Sequence, residues 1–379
     1  MPTKYDVFSK IIKFSPCKAV DLGFNTPVYA HLNYLLGKCL IKKQGLEYVP
    51  VKSTFSLHIF KIIKYALKNG LDYNILLSKN ISFVLNTLSN SSPYIRSKDL
   101  SSNKENTAIF LYLEKNQFLL VTEKKPRKGV LLKHQLLDEI LTLNKFDILN
   151  HAKFDDVCEQ VLKIKSDILN PFDEKIFYFL SGSAQLEGST VTVGETRDLI
   201  VKGIYPDKPK IDIQMIQNLN EAMYFIFDNL NRDITVDSIK HLNRLVLFSL
   251  HRNSGNFKTT QNKIQDNSDF KTASFEKVPI LIAEYCTLLN SISTKEECLN
   301  KLGWIHNELQ RIHPFSDGNS RTTRMVVNWV LLKHNLPLLV LKMGSFDEYM
   351  YLTKLSKKRS DLSLKKLFCH LLLHENAIN

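Results

Sequence analysis

Apolar residues recur at helical spacing over most of the chain. Leu299, Leu302, Ile305, Leu309 and Ile312 make one stripe, and Met325, Val326, Trp329 and Val330 another; steps of three and four place each set on one helix face. The same spacing predicts helices within 59–67, 81–88, 172–180, 196–201, 213–229, 236–250, 278–289 and 364–373, with stops at Asn69-Gly70 and Gly203. The pattern changes at 108–122, where two short apolar runs flank Glu114-Lys115-Asn116-Gln117 and predict a β-hairpin. Residues 89–106 read as a polar loop, and 251–269 as a hairpin or flap. The expected division is an N-terminal module over 1–160, of α or α+β fold, followed by a mainly α domain over 161–379.

Composition narrows the class. With 379 residues and 44% hydrophobic content the chain can bury a large core. Its six cysteines include no CxxC pair, which predicts reduced thiols rather than a zinc cage or disulfide framework. No basic-then-apolar leader opens the sequence, and no apolar run reaches the roughly 18 residues of a membrane span. A cytoplasmic protein is the expectation, with export that needs no N-terminal signal left open. The net charge of +13 favours anionic ligands. Basic clusters at 124–128 and 357–359 lack the interleaved aromatics of single-strand binders, so nucleic acid is not expected.

One stretch concentrates chemistry: His313-Pro314-Phe315-Ser316-Asp317-Gly318-Asn319-Ser320-Arg321-Thr322-Thr323-Arg324. Pro314 disfavours a helical backbone at His313, so the incoming helix should end there and aim the imidazole into a loop. Gly318 and Asn319 accept tight-turn geometry. The amides that start the next helix favour a bound phosphate. Arg321 and Arg324 share a face of its first turn and could grip a polyphosphate. Cations at a helix N-terminus oppose the helix dipole, a misfit that an anionic ligand would resolve. Asp317 beside that anion calls for Mg²⁺, and His313 is placed as a general base. Gly182 to Thr190 lacks the spacing and lysine of a P-loop, and His306 with His313 lacks metalloprotease spacing.

Residues 313–324 resemble the signature of the Fic (Fido) family, His-x-Phe-x-Asp/Glu-Gly-Asn-Gly/Lys-Arg-x-x-Arg. Ser183-Ala184-Gln185-Leu186-Glu187-Gly188 resembles that family's inhibitory motif, and Gly255-Asn256-Phe257-Lys258-Thr259-Thr260-Gln261 its flap. The likeness covers about 165–375. It implies a mainly α, Fic-type helical domain with a short β-hairpin flap, transferring AMP from ATP to a protein hydroxyl. By position His313 would be the base and Asp317 the Mg²⁺ ligand. Gly318, Asn319, Ser320, Arg321 and Arg324 would bind ATP, with Tyr349 in the adenine pocket. Lys258, Thr259, Thr260 and Gln261 would dock the target's backbone.

Ser183 and Glu187 are one helical turn apart, so both could face the site. A glutamate on Arg324 would occupy the guanidinium that the outer phosphate needs, restraining the enzyme. Two departures stand out: Ser320 replaces the usual Gly, and Lys258 a flap Arg. Ser320 keeps the donor open between AMP transfer and transfer of another nucleotidyl or phosphoryl group, and de-AMPylation and a catalytically weak nucleotide-binding scaffold are further alternatives. The expected partners are ATP and a protein substrate, with homo-oligomers left open.

Overall fold

Helix start and stop chemistry is written along the chain and sets most element boundaries. The structure, a computed structural model, describes residues 1–91, 103–125, 127–146, 153–164, 170–262, 272–353 and 359–377. In chain order these residues form α1 (Lys4–Phe14), α2 (Tyr29–Gly37), β1 (Ile41–Gln44), β2 (Glu47–Pro50), α3 (Thr54–Lys68), α4 (Tyr73–Leu76), α5 (Ile81–Ser91) and α6 (Lys104–Lys115). Next come β3 (Leu119–Lys124), β4 (Arg127–Leu131), α7 (Gln135–Leu143), α8 (Cys158–Leu162), α9 (Glu174–Gln185), α10 (Val193–Lys202) and α11 (Lys210–Asp228). The last are α12 (Val236–Val246), α13 (Val278–Asn290), α14 (Lys295–Ile312), α15 (Asn319–Lys333), α16 (Phe346–Leu352) and α17 (Asp361–Ala377). The fold is mainly α, as the spacing predicts.

Two compact units divide the chain. One holds the described residues of 1–91, 96–112 and 133–150. Within it α3 buries Ile59, Ile62, Ile63 and Ala66, while Leu67 stays 53% exposed at the edge of the stripe. Its last turn closes on Asn69, whose amide donates to Tyr65 O at 3.1 Å. β1 and β2 pair antiparallel, from Ile41 opposite Pro50 to Gln44 opposite Glu47.

The other unit holds the described residues of 113–132 and 151–379. The hairpin expected within 108–122 is displaced. Residues 104–115 are helical, because Ile109, Phe110 and Leu113 bury one face at i, i+1 and i+4. The strand that follows pairs forward instead, with Leu119 opposite Leu131 and Lys124 opposite Arg127. The basic cluster at 124–128 therefore flanks a hairpin tip. Both ends of the loop expected within 89–106 are helical, since α5 continues to Ser91 and α6 begins at Lys104. Its middle, 92–102, lies outside the described residues, as do 263–271 of the expected flap and part of the second basic cluster.

α14 and α15 carry the two opening stripes, and every residue of both stripes is buried. α14 starts at Thr294, whose hydroxyl accepts from Glu297 N at 3.1 Å. α15 is buried on nearly all sides from Asn319 to Leu331, polar residues included. Its Asn328 exchanges hydrogen bonds with Leu339, receiving from Leu339 N at 2.7 Å and donating to Leu339 O at 3.1 Å. That pins the extended segment after α15 to the centre of the domain.

Candidate active site

The loop between α14 and α15 is built by its own side chains. His313 ends α14 in the left-handed region, at φ 50° and ψ 59°. An L-residue rarely holds that conformation, which turns the chain sharply ahead of Pro314. Asn319 then closes the loop: its Oδ1 accepts from Phe315 N at 2.9 Å and its Nδ2 donates to Phe315 O at 2.8 Å. Both ends of this amide are engaged in shaping the loop, and these two bonds use one of the two N–H groups of Nδ2.

Gly318 is required twice over. Its φ is 71°, and a Cβ there would sit 2.9 Å from both Cγ and Cδ1 of Leu247. Asn243, fully buried on α12, donates through Nδ2 to Asp317 O and to Thr322 Oγ1, each at 3.1 Å, and its Oδ1 accepts from Gly255 N at 2.9 Å. This residue ties the loop to the base of the flap. Sequence reasoning missed it; its signal was a polar side chain within the apolar face of Ile239, Leu242 and Val246.

The charged groups gather on the first turns of α15. Asp317 is half exposed, accepts from Gly318 N at 2.6 Å and lies 3.5 Å from an Arg321 guanidinium nitrogen. Arg324, only 4% exposed, donates from Nε to Ser183 Oγ at 2.8 Å and from Nη2 to Ser183 O at 3.0 Å. The same Nη2 donates to Glu187 Oε1 at 2.8 Å, and Glu187 Oε2 lies 3.9 Å from Arg321 Nε. Residues more than a hundred positions apart thus meet on one guanidinium. α9 carries Ser183 and ends at Gln185, with Glu187 N donating to Ala184 O at 2.9 Å in a tightened last turn.

Beside this pair lies a cavity of about 150 Å³. Glu187, Ser320, Arg324 and Tyr349 line it, together with Gln310 and Met350. Tyr349 is buried, and its hydroxyl is 2.7 Å from His306 Nε2, a hydrogen bond whose donor depends on the imidazole tautomer. Burial raises the Tyr349 phenol above its ordinary range, against the opposing pull of the Arg324 guanidinium. His306 also lines this cavity.

The flap residues separate into two sets. Lys258 donates from its backbone N to Pro314 O at 2.8 Å, next to an antiparallel bridge between Phe257 and Phe315. Its ammonium is turned inward, to Ala273 O at 2.7 Å, Thr272 Oγ1 at 3.2 Å and Ile312 O at 3.4 Å. Burial lowers it to about 8. Gln261 Nε2 donates to Thr272 Oγ1 at 2.7 Å. The Lys258 side chain is thus tied into the domain and Gln261 to Thr272, while Thr259, Thr260 and Gln261 are exposed. Among the described residues the flap has no paired strands of its own beyond the Phe257 bridge.

No group of three or more metal-ligating side chains occurs among the described residues. One half-exposed carboxylate, Asp317, is nevertheless what a magnesium carried in on phosphates uses, since Mg²⁺ keeps its waters and takes one or two protein carboxylates. The residues present fit that ion. Among the described residues, no helix is long and apolar enough to cross a membrane.

The chain is similar to several known proteins. Protein adenylyltransferase Fic of Nematostella vectensis is 25% identical over 249 residues, which cover 58% of this chain and 57% of that protein. Protein adenylyltransferase fic-1 of Caenorhabditis elegans is 26% identical over 183 residues, covering 46% of this chain and 35% of that one. The chain thus spans little more than half, or less, of the length of these curated relatives. A solved Fic-domain-containing signaling protein from Bacteroides thetaiotaomicron is 23% identical with a TM-score of 0.48, covering 58% of this chain and 92% of its own. The family model described as Fic/DOC family matches residues 233–331. Those residues contain the whole of the 313–324 loop, so this part of the chain is similar to the Fic/DOC family.

Proposed function

We propose that the chain is a self-inhibited protein adenylyltransferase, moving AMP from ATP to a Ser, Thr or Tyr hydroxyl of a target protein. The observation that carries this reading is the convergence of Ser183 and Glu187 on Arg324, beside a cavity that Ser320 and Tyr349 also line. His313 takes the proton of the attacking hydroxyl, whose oxygen forms a bond to the α-phosphorus as the α–β bridge breaks and pyrophosphate leaves. The first amides of α15 bear on the charge that develops at the α-phosphate. Arg321 and Arg324 hold the outer phosphates. Asp317 would hold Mg²⁺, which supplies charge neutralisation on the phosphates when bound. Tyr349 borders the adenine, and Thr259 with Thr260 faces the target. An ATP-containing compartment such as the cytoplasm suits this chemistry.

Glu187 is the restraint. Its carboxylate occupies the Arg324 nitrogen that an outer phosphate would otherwise take. Radiolabelled ATP, GTP, CTP and UTP, offered to wild type, Glu187→Gly and His313→Ala with a protein lysate, test the scheme. The expected result is strong labelling from ATP labelled at the α-phosphate by Glu187→Gly, weak labelling by wild type and none by His313→Ala. Preferred labelling from another nucleotide would reassign the donor, Ser320 being the position in the loop that leaves it open. Transfer of label from the γ-phosphate would instead make the reaction phosphoryl transfer. Equal labelling by wild type and Glu187→Gly removes the restraint from the scheme, and release of AMP from modified protein would make de-AMPylation the main activity. Nucleotide binding without transfer in every variant would leave a scaffold role.

A further inference from the structure

Gln310 lies on α14, three residues before His313 and one helical turn after His306, and it lines the 150 Å³ cavity. The residue is 1% exposed, yet its Oε1 is sealed from solvent with no hydrogen-bond partner. Such an amide is expensive to bury: a polar atom without a partner forfeits its hydration and receives nothing in return. Other buried side-chain amides in this domain find partners, as Asn243, Asn319 and Asn328 do. An orphan amide on a cavity wall is the arrangement expected where a ligand completes the set.

The surroundings state what kind of ligand. The cavity lining mixes polar groups, Arg324, Glu187 and Ser320 among them, with the apolar Leu186, Phe346 and Met350. A phosphate alone would leave the apolar groups unused, whereas a nucleoside presents flat apolar faces with hydrogen-bonding edges. We propose that Gln310 is a specificity-determining residue whose carboxamide hydrogen-bonds the nucleoside part of the bound nucleotide. This rests on the nucleotide-binding reading above. The amide carries both a donor and an acceptor, so it can pair with the edge of a base or with a ribose hydroxyl.

The test uses the full chain carrying Glu187→Gly, compared with the same chain also carrying Gln310→Met or Gln310→Glu. Met keeps the side chain's length and removes its polarity; Glu keeps one acceptor and removes the donor. Affinities for ATP, GTP, CTP, UTP, 2′-deoxy-ATP and 3′-deoxy-ATP are measured by calorimetry, with thermal melts to verify folding. Gln310→Met is expected to weaken ATP about 5- to 100-fold, the worth of a buried hydrogen bond whose partner is stranded. If the contact is to the base, discrimination between ATP and the other nucleotides narrows and both deoxy analogues lose affinity as ATP does. If it is to the ribose, all four nucleotides weaken alike and one deoxy analogue is insensitive to the substitution. A folded Gln310→Met chain that binds every nucleotide as tightly as its parent overturns the assignment and leaves the amide to a sealed-in water. A parent that binds no nucleotide at all overturns both this inference and the function it rests on.

Discussion

Replacing Glu187 by Gly should strengthen ATP binding while leaving AMP binding nearly unchanged. In the wild-type chain the Arg324 guanidinium donates two hydrogen bonds to Ser183 and one to Glu187. The substitution removes only the last of them. Hydrogen bonds to charged groups are worth about 1.5–3 kcal/mol each. Glu187 keeps 26% of its side chain in contact with solvent, which screens the pair. A value of about 2 kcal/mol is therefore reasonable, and at 1.4 kcal/mol per tenfold it converts to a gain of roughly 30-fold in ATP affinity. AMP has no outer phosphates and so does not compete with Glu187 for Arg324. Titration calorimetry of both nucleotides with magnesium separates the cases. An equal gain for AMP and ATP would mean that Glu187 acts on the whole cavity, and no gain for either would mean that the ion pair is not a restraint. The free protein should lose little stability, about 1–2 kcal/mol, because Arg324 keeps both Ser183 contacts rather than being stranded as a buried charge.

Other positions give sharper local tests. His313→Ala should abolish transfer yet bind ATP within a fewfold of its parent in the Glu187→Gly background; loss of binding would place His313 in the nucleotide site instead. Gly318→Ala forces an L-residue to φ 71° against Leu247, and should cost about 2 kcal/mol or more in denaturant unfolding. An unchanged midpoint would show that the loop can relax. Lys258 has a folded pKa of about 8, below the 10.4 or so of an unfolded lysine. Between those values the unfolded chain binds a proton that the folded chain does not, so stability relative to Lys258→Met should rise with pH through that window. A difference between the two chains that stays flat from neutral pH to pH 10 would contradict this. Asp317→Asn should reduce transfer and the magnesium dependence of ATP binding together, while the fold's melting temperature stays put.

Much of this site was legible because its chemistry is local in sequence. His313, Asp317, Gly318, Arg321 and Arg324 lie in one short run, and backbone rules at Pro314 and Gly318 give the loop's shape. The helices read well where apolar spacing and a stop coincide, as at Asn69 and Gly203. What could not be read depended on partners elsewhere. Residues 109–113 look like a strand by composition, and only the burial of Ile109, Phe110 and Leu113 makes them a helix face. The inward turn of the Lys258 ammonium was not legible either, because the three groups that accept from it lie at 272, 273 and 312. Gln310 and Asn243 carry no motif at all. Their importance lies in one unpaired oxygen and in one amide bridging two loops, which are properties of three-dimensional neighbours.

The way α9 is packed limits how any restraint by Glu187 could be lifted. A Cβ at Gly182 would lie 2.2 Å from Leu341 O, so the helix backbone rests directly on the extended segment that Asn328 pins to α15. Ser181, Ser183 and Ala184 are buried with it. Swinging α9 away would unmake the core of the domain and strand Arg324, a cost far above that of one ion pair. The part free to move is the end. Glu187 lies two residues beyond the last helical residue, Gln185, is held by the short-range bond from its N to Ala184 O, and precedes Gly188 at φ 95°. Release should therefore be confined to residues 186–189, with the two Ser183 contacts to Arg324 kept. Hydrogen exchange measured with and without saturating ATP would read this directly. Faster exchange at the amides of 187–189, with those of 177–184 unchanged, is the expected result. Exchange that quickens along the whole of α9 would mean that the helix itself leaves, and that the packing at Gly182 does not anchor the switch.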